Sequence, residues 1–162
     1  MSERRRLVPL SPSLLPDALA AVERALHRTH YLSGALDSLR SAVTAPGADG
    51  RALASMTGDR IEGVAMFGIF GGTIGAGRLH FVAVEPSVRR KGVARALTES
   101  AIVQLAASNA RFVLAELPDD VDALPGAREF LCALGFSEEG RVDDYFRDGV
   151  ALSFMRRELA TR

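Results

Sequence analysis

The chain has 162 residues, 48% of them hydrophobic and 25% charged, with 20 cations balanced by 20 anions. Such values describe one ordinary globular domain and exclude the global basic field on which nucleic-acid or membrane-surface binding relies, so any electrostatic function must be local. The single cysteine, Cys132, excludes an intrachain disulfide and a cysteine-built metal centre, and it suits a reducing compartment.

The opening MSERRRLVPLSPS is basic but is followed by no long apolar segment, and no run of about eighteen apolar residues occurs anywhere, so a soluble cytoplasmic protein is expected. RRLVPL reads as a short strand. Ser11 and Pro12 then open SPSLLPDALAAVERALHRTH, where Leu15, Leu19, Val22 and Leu26 recur at helical spacing. A second, shorter helix follows in YLSGALDSLRSAV, and TAPGADG is a loop by its proline and glycine content.

From Arg51 the texture changes. RALASMTGDRIEGVAMFGIF is two apolar runs about a Thr57-Gly58-Asp59-Arg60 turn, as a hairpin requires. GGTIGAG turns the chain into a third strand of this group, RLHFVAV, in which strict alternation puts His80 on one face with Arg78 and Val82, opposite Leu79, Phe81 and Ala83. From Gly92 to about Ala107 the pattern is helical again, with Ala94, Leu97, Ala101 and Leu105 along one face.

The remainder reads as a strand RFVLAEL, an acidic loop PDDVDALPG, a helix AREFLCAL closed by Gly135, and two strands within FSEEGRVDDYF and GVALSFMRREL. The order is strand, two helices, three strands, helix, strand, helix, two strands. Neither repeats nor a composition break divide it, so residues 1–162 are read as a single domain.

The densest signal is VEPSVRRKGVARALTES. Pro86 ends the strand, and RRKG leads directly into the helix that starts near Gly92. A helix start offers unpaired N–H groups and a partial positive charge to an anion; Gly92 lets the backbone approach a phosphate, and Arg89, Arg90 and Lys91 are available on the rim. A solvated loop with a turn glycine is the competing reading. Lys91 is the only lysine, every other cation being arginine, so clustered arginines carry little information by themselves. Neither a G-x-x-x-x-G-K-[ST] nor a G-x-G-x-x-G opening a helix is present, so the P-loop and Rossmann fingerprints both fail.

VAVEPSVRRKGVARAL nevertheless resembles the acyl-CoA-binding signature of the GNAT superfamily of N-acetyltransferases: an apolar strand, V-x-P, then Arg89-x-x-Gly92-x-Ala94 opening a helix with Ala96 and Leu97. Downstream, AREFLCALGF is similar to the family's A-x-x-F-Y-x-x-x-G-F element through Ala127, Phe130, Gly135 and Phe136. The resemblance covers nearly the whole chain. The stretch EEGRVDDYFRDGVALSFMRREL is similar to the ending of many small bacterial members. The fold it implies is α/β (α+β): a central mixed, mostly antiparallel sheet of about six to seven strands, splayed at the fourth and fifth, flanked by about four helices.

The resemblance further implies acetyl-CoA as the acetyl donor and no metal. Val82, Ala83 and Val84 would pair with the pantetheine. Arg89, Arg90, Lys91, Gly92, Val93, Ala94 and Arg95 would surround the pyrophosphate, largely through main-chain N–H groups, and Phe130 is counted with them. An N–H near Val82 would polarise the thioester carbonyl. The reaction implied is direct attack by a primary amine of a small molecule, amino acid or peptide in a ternary complex, leaving a proton to be removed from the ammonium form and one to be offered to the thiolate.

At the position where many members carry a thiol-protonating tyrosine, this chain has Leu131. Tyr145 is either a substitute acid or an ordinary half-buried strand tyrosine. For the base, His80 is a candidate because histidine as a residue type suits proton transfer near neutral pH and the resemblance implies that this strand runs along the cleft, though a hydrogen-bonded sheet histidine fits equally. Glu116, at the end of the following strand, is the other candidate, to relay a proton through water or hold a cationic substrate, or simply to face solvent. His27, His30 and Tyr31 fall where the family walls its acceptor pocket, and are read as surface residues. The run Asp119, Asp120 and Asp122 lacks the ligand density of a calcium loop and is read as solvated. An acyl-CoA-binding module without efficient chemistry is the alternative that Leu131 motivates. A nucleic-acid partner is disfavoured by charge balance and few aromatics. The amine acceptor stays unnamed, and so does the oligomeric state, homodimers being common in the family.

Overall fold

The structure, a computed structural model, describes residues 4–47 and 49–160. Its elements follow the order read from the sequence: β1 (Arg6–Pro9), α1 (Leu15–Ala25), α2 (Leu32–Thr44), β2 (Arg51–Thr57), β3 (Arg60–Ile69), β4 (Ala76–Val84), α3 (Val93–Ala107), β5 (Phe112–Pro118), α4 (Ala127–Ala133), β6 (Ser137–Arg147) and β7 (Val150–Glu158). One seven-stranded sheet runs β1-β2-β3-β4-β5-β7-β6, antiparallel throughout except for the parallel pair β4–β5. That single parallel pairing follows from α3, which carries the chain back across the sheet between the two strands.

Helices cover both faces. α1 and α2 bury Ala18, Val22 and Leu39 against Ala54, Val64 and Ala83 of the sheet. On the other face, Val93, Leu97, Ala101 and Leu105 of α3 join Leu131 and Leu134 from α4 and its exit over Ala65, Phe67 and Val113. The Leu97, Ala101, Leu105 stripe anticipated for α3 is therefore the stripe that packs.

β4 departs from the expected alternation. It pairs regularly with β3 from Val84 to Phe81, but Phe67 then faces Leu79, leaving His80 as an extra residue in a β-bulge. The slip changes faces. Leu79 joins Val82 and Val84 in the α3 cluster, while Phe81 and Ala83 pack in the α1–α2 cluster. His80 does not share a face with Val82: its ring reaches Asp49, in the loop after α2, on the α1–α2 side. Period-two reasoning fails here because one inserted residue moves every later side chain to the opposite face.

No helix among the described residues is long and apolar enough to cross a membrane.

Candidate functional site

β4 and β5 pair only from Ala76–Leu79 against Phe112–Ala115, although the strands run on to Val84 and Pro118. Beyond Leu79 and Ala115 they part. The gap is the floor of a cavity of about 810 Å³, lined by Leu79 to Val82 from one strand and Ala115 to Pro118 from the other. Its walls come from both faces of the sheet: His30, Tyr31 and Ser38 on the α1–α2 side, Phe130 and Leu131 on the α4 side, and Phe146 and Arg147 from β6.

At the far end of β4 the chain turns through Pro86–Val88 into the start of α3. Gly92 is the N-cap, in the left-handed region at φ 77°, and no side chain caps the helix. Among the described residues, none of the backbone N–H groups from Arg90 to Arg95 donates to a protein acceptor; the first helical bond runs from Ala96 N–H to the Gly92 oxygen. Six consecutive free donors at a helix start are the kind of arrangement that suits an anion. A Cβ on Gly92 would meet nothing within 4 Å, so the loop is open on that side and the conformation, not crowding, calls for glycine.

The cations around this cradle do different things. Arg89 turns back into the protein, its Nη2 donating to the Ala25 oxygen at 2.8 Å and its Nε to the Val84 oxygen at 3.2 Å, so it ties the loop to α1. Arg95 pairs with Glu99 along the helix, and Lys91 Nζ reaches the Ser87 oxygen at 3.3 Å. Arg90 has no side-chain partner among the described residues, and its own φ is 61°. Behind the loop, Glu85 is only 1% exposed and holds Arg24 and Arg60 at once, a clamp that the sequence pattern did not suggest.

Of the candidate acid–base groups, two line the cavity and one does not. His80 Nε2 lies 2.8 Å from the backbone oxygen of Asp49 and 3.1 Å from its Oδ1. A carbonyl only accepts, so Nε2 carries the proton and the lone pair is on Nδ1. Glu116 pairs through Oε1 with Arg78 Nη2 at 3.2 Å and keeps Oε2 without a protein partner among the described residues; it lines the gap and is exposed there. Tyr145 is 59% exposed on β6, stacked edge-on against Phe146, and is not part of the cavity lining. Leu131 lines the cavity and is buried, so the position that a thiol-protonating tyrosine would fill is apolar.

Two expectations need correction. His30 and Tyr31 are cavity-wall residues rather than mere surface groups, although His27 is exposed. The acidic loop is not solvated as a whole: of its three carboxylates only Asp122 is exposed. Asp119 binds Arg128 at 3.1 Å and Arg141 at 2.6 Å, and these two hydrogen bonds hold its carboxyl below the ordinary aspartate range. Asp120 is 4% exposed and receives Tyr31 Oη at 2.9 Å, Arg147 Nη2 at 3.2 Å and the Ala123 N–H at 3.2 Å. Burial pushes Asp120 upward, but the Ala123 N–H, Tyr31 and Arg147 together outweigh it, and the carboxyl titrates below its usual range. Burial, and then Asp120, push the Tyr31 phenol up to about 12. Partners distant in sequence decide these environments, which is why an acidic run looked like a loop surface.

The sequence from residue 20 to 136 matches the model of the acetyltransferase (GNAT) family. No curated protein matches the chain. Among solved structures, a GNAT-family protein from Desulfovibrio desulfuricans superposes with a TM-score of 0.87 at 22% identity, covering 97% of this chain and 100% of its own. The ribosomal-protein-S18-alanine N-acetyltransferase of Escherichia coli gives 0.78 at 18% identity, with 98% and 96% covered. A Salmonella typhimurium protein, yncA, solved with its cofactor acetyl-CoA, gives 0.75 at 17% identity, with 98% and 95% covered. At these identities the likeness is one of fold.

Proposed function

The chain belongs to the GNAT acetyltransferase family, and from that premise we propose that it transfers the acetyl group of acetyl-CoA to a primary amine of a small molecule, amino acid or peptide, with both substrates held together. The observation that carries this reading is that β4 leads from one feature to the other: from the gap where it parts from β5 to the six free N–H groups from Arg90 to Arg95. The first accommodates a narrow chain between strands, and the second an anionic group at its end.

Acetyl-CoA fits that pair of features, and when bound it supplies an acetyl thioester as the electrophile. Residues Arg90 to Arg95 would bind its pyrophosphate by main-chain donors, with Gly92 setting the curvature and Arg90 free to add charge. Arg89 contributes its backbone, since its guanidinium is committed to Ala25 and Val84. Val82 to Val84, unpaired on the side facing β5, offer backbone groups to the pantetheine amides, and Phe130 and Leu131 cover the same side of the gap.

The acceptor enters from the α1–α2 side. Glu116 holds the ammonium form through its unpaired oxygen, and His80 takes the proton at Nδ1, its orientation fixed by Asp49. The leaving thiolate, a weak base with a reference pKa near 8.5, departs without a tyrosine at Leu131. A cytoplasmic setting goes with this reading. Leu131 also supports the competing one, a module that binds acyl-CoA and turns over poorly.

Two measurements test the proposal. Acetyl-CoA should raise the melting temperature in a concentration-dependent way, as any ligand of the native state does; the absence of a shift at saturation would end both readings. Thiol release across a panel of primary amines then separates enzyme from module, the module predicting binding with no amine-dependent release.

A further inference from the structure

The structure assigns to Tyr31 the binding of the acceptor amine: a cavity-wall phenol whose proton is committed to buried Asp120 accepts a hydrogen bond from the amino nitrogen. The assignment rests on the acetyltransferase reading and names a substrate contact within it.

The argument begins with the inventory of one hydroxyl. Tyr31 donates to Asp120 Oδ2 at 2.9 Å, which leaves only oxygen lone pairs for anything in the cavity. Such a group takes hydrogen-bond donors, an amino group among them, and disfavours carbonyl or carboxylate oxygens. Its acceptor strength is raised because the charged partner polarises the O–H bond, and burial makes that effect larger than in water.

Asp120 does not itself meet the ligand. It is 4% exposed, and its oxygens are taken by Tyr31, Arg147 and the Ala123 N–H. It is a positioning residue that acts through the phenol. Phe146 fixes the ring from a third direction, its centroid 5.5 Å from that of Tyr31 in an edge-to-face contact. Three segments distant in sequence, the α1–α2 junction, the loop after β5 and the end of β6, thus converge to aim one oxygen.

The arrangement also separates Tyr31 from the missing acid. A phenol pushed up to about 12 stays protonated through the physiological range and holds its proton against Asp120. It serves as a stable neutral acceptor and is a poor donor to a thiolate, so it does not replace the tyrosine absent at Leu131.

The test is steady-state thiol release with the best amine of the panel. Tyr31→Phe should raise the KM for the amine about tenfold, with kcat and the KM for acetyl-CoA within about twofold of the parent protein. Asp120→Asn retains an amide oxygen for the phenol but loses the charge, and should raise the amine KM by a smaller factor, about threefold. A second readout does not depend on those variants folding. The chain has no tryptophan and two tyrosines, so in Tyr145→Phe the tyrosine band of a difference spectrum, with CoA subtracted, belongs to Tyr31 alone. With CoA bound, it should change saturably as the same amine is added and should not respond to the matching compound with hydrogen in place of the amino group. An amine KM unchanged in Tyr31→Phe, or a rise shared equally by acetyl-CoA, overturns the assignment, as does an absorbance blind to the amine. Silence of the parent protein toward every amine instead overturns the acetyltransferase reading, and this assignment with it.

Discussion

His80 and Asp49 are held together on the α1–α2 face of the sheet, the imidazole Nε2 donating to the Asp49 backbone oxygen at 2.8 Å. The contact exists because β4 bulges at His80 and because Gly68, beside it on β3, has no side chain; a Cβ there would collide with the Asp49 backbone. The loop after α2 therefore seats directly on the strand and dictates which ring nitrogen is free.

That geometry gives the first prediction. His80→Gln keeps a donor for the Asp49 carbonyl but has no lone pair able to take a proton, so kcat should fall about 100-fold, the low end of what a general base contributes. Acetyl-CoA affinity should hold in a binding titration. Retention of the parent kcat and pH profile would remove His80 from the proton path.

Gly92 and Arg90 are adjacent to the same cradle and should not be equivalent. Gly92→Glu puts a residue with a side chain at φ 77°, at a strain of about 1–2 kcal/mol, and sets a carboxylate beside the phosphate site. Acetyl-CoA binding, followed by calorimetry, should weaken at least tenfold. Arg90→Ala removes one exposed cation and should weaken it about two- to fivefold, with greater loss at low salt. The reverse ranking would locate the affinity in side-chain charge rather than in the backbone cradle.

Glu85 makes a stability prediction. Glu85→Ala would leave Arg24 and Arg60 facing each other without the buried carboxylate that joins them. Because both arginines are half exposed, the loss is discounted to about 2–3 kcal/mol, at the lower edge of what breaking a buried pair costs. For a chain of this size that corresponds to a drop of roughly 5–10 °C in Tm. Urea denaturation should show the same change with an unaltered slope.

Two titrations on opposite limbs bound the pH range of stability. Asp119 and Asp120 titrate lower in the folded chain than in an unfolded one, so their contribution is full above about pH 4 and fades as acid is added through the folded-state values. Tyr31 is the opposite case. Its folded value of about 12 exceeds the unfolded 10, so its contribution is full below 10 and is lost as pH rises toward 12. Melting temperature against pH should therefore decline more gently in Tyr31→Phe than in the parent above about pH 10, and more gently in Asp120→Asn below about pH 4. Superimposable limbs would mean that the Tyr31–Asp120 bond does not persist in solution.

The order of elements was legible because each rests on local information. Apolar spacing marked α1 and α3, the Thr57–Arg60 turn marked the β2–β3 hairpin, and Pro86 with Gly92 marked the passage from β4 to α3. The anion cradle was legible for the same reason, since a glycine at a helix start acts through backbone that is near in sequence. The His80 bulge was not. Nothing in RLHFVAV distinguishes an alternating strand from one with an inserted residue, because the insertion is defined only against the register of β3.

The sequence by itself thus determined the element order, the family resemblance and the glycine-opened start of α3, all consequences of contacts within a few residues. The tertiary structure alone decided which groups face the cavity and what holds each of them: Asp49 for His80, Arg78 for Glu116, and Asp120 with Phe146 for Tyr31. Each of these pairs joins segments distant in the chain, and a proton's position follows the nearest partner in space.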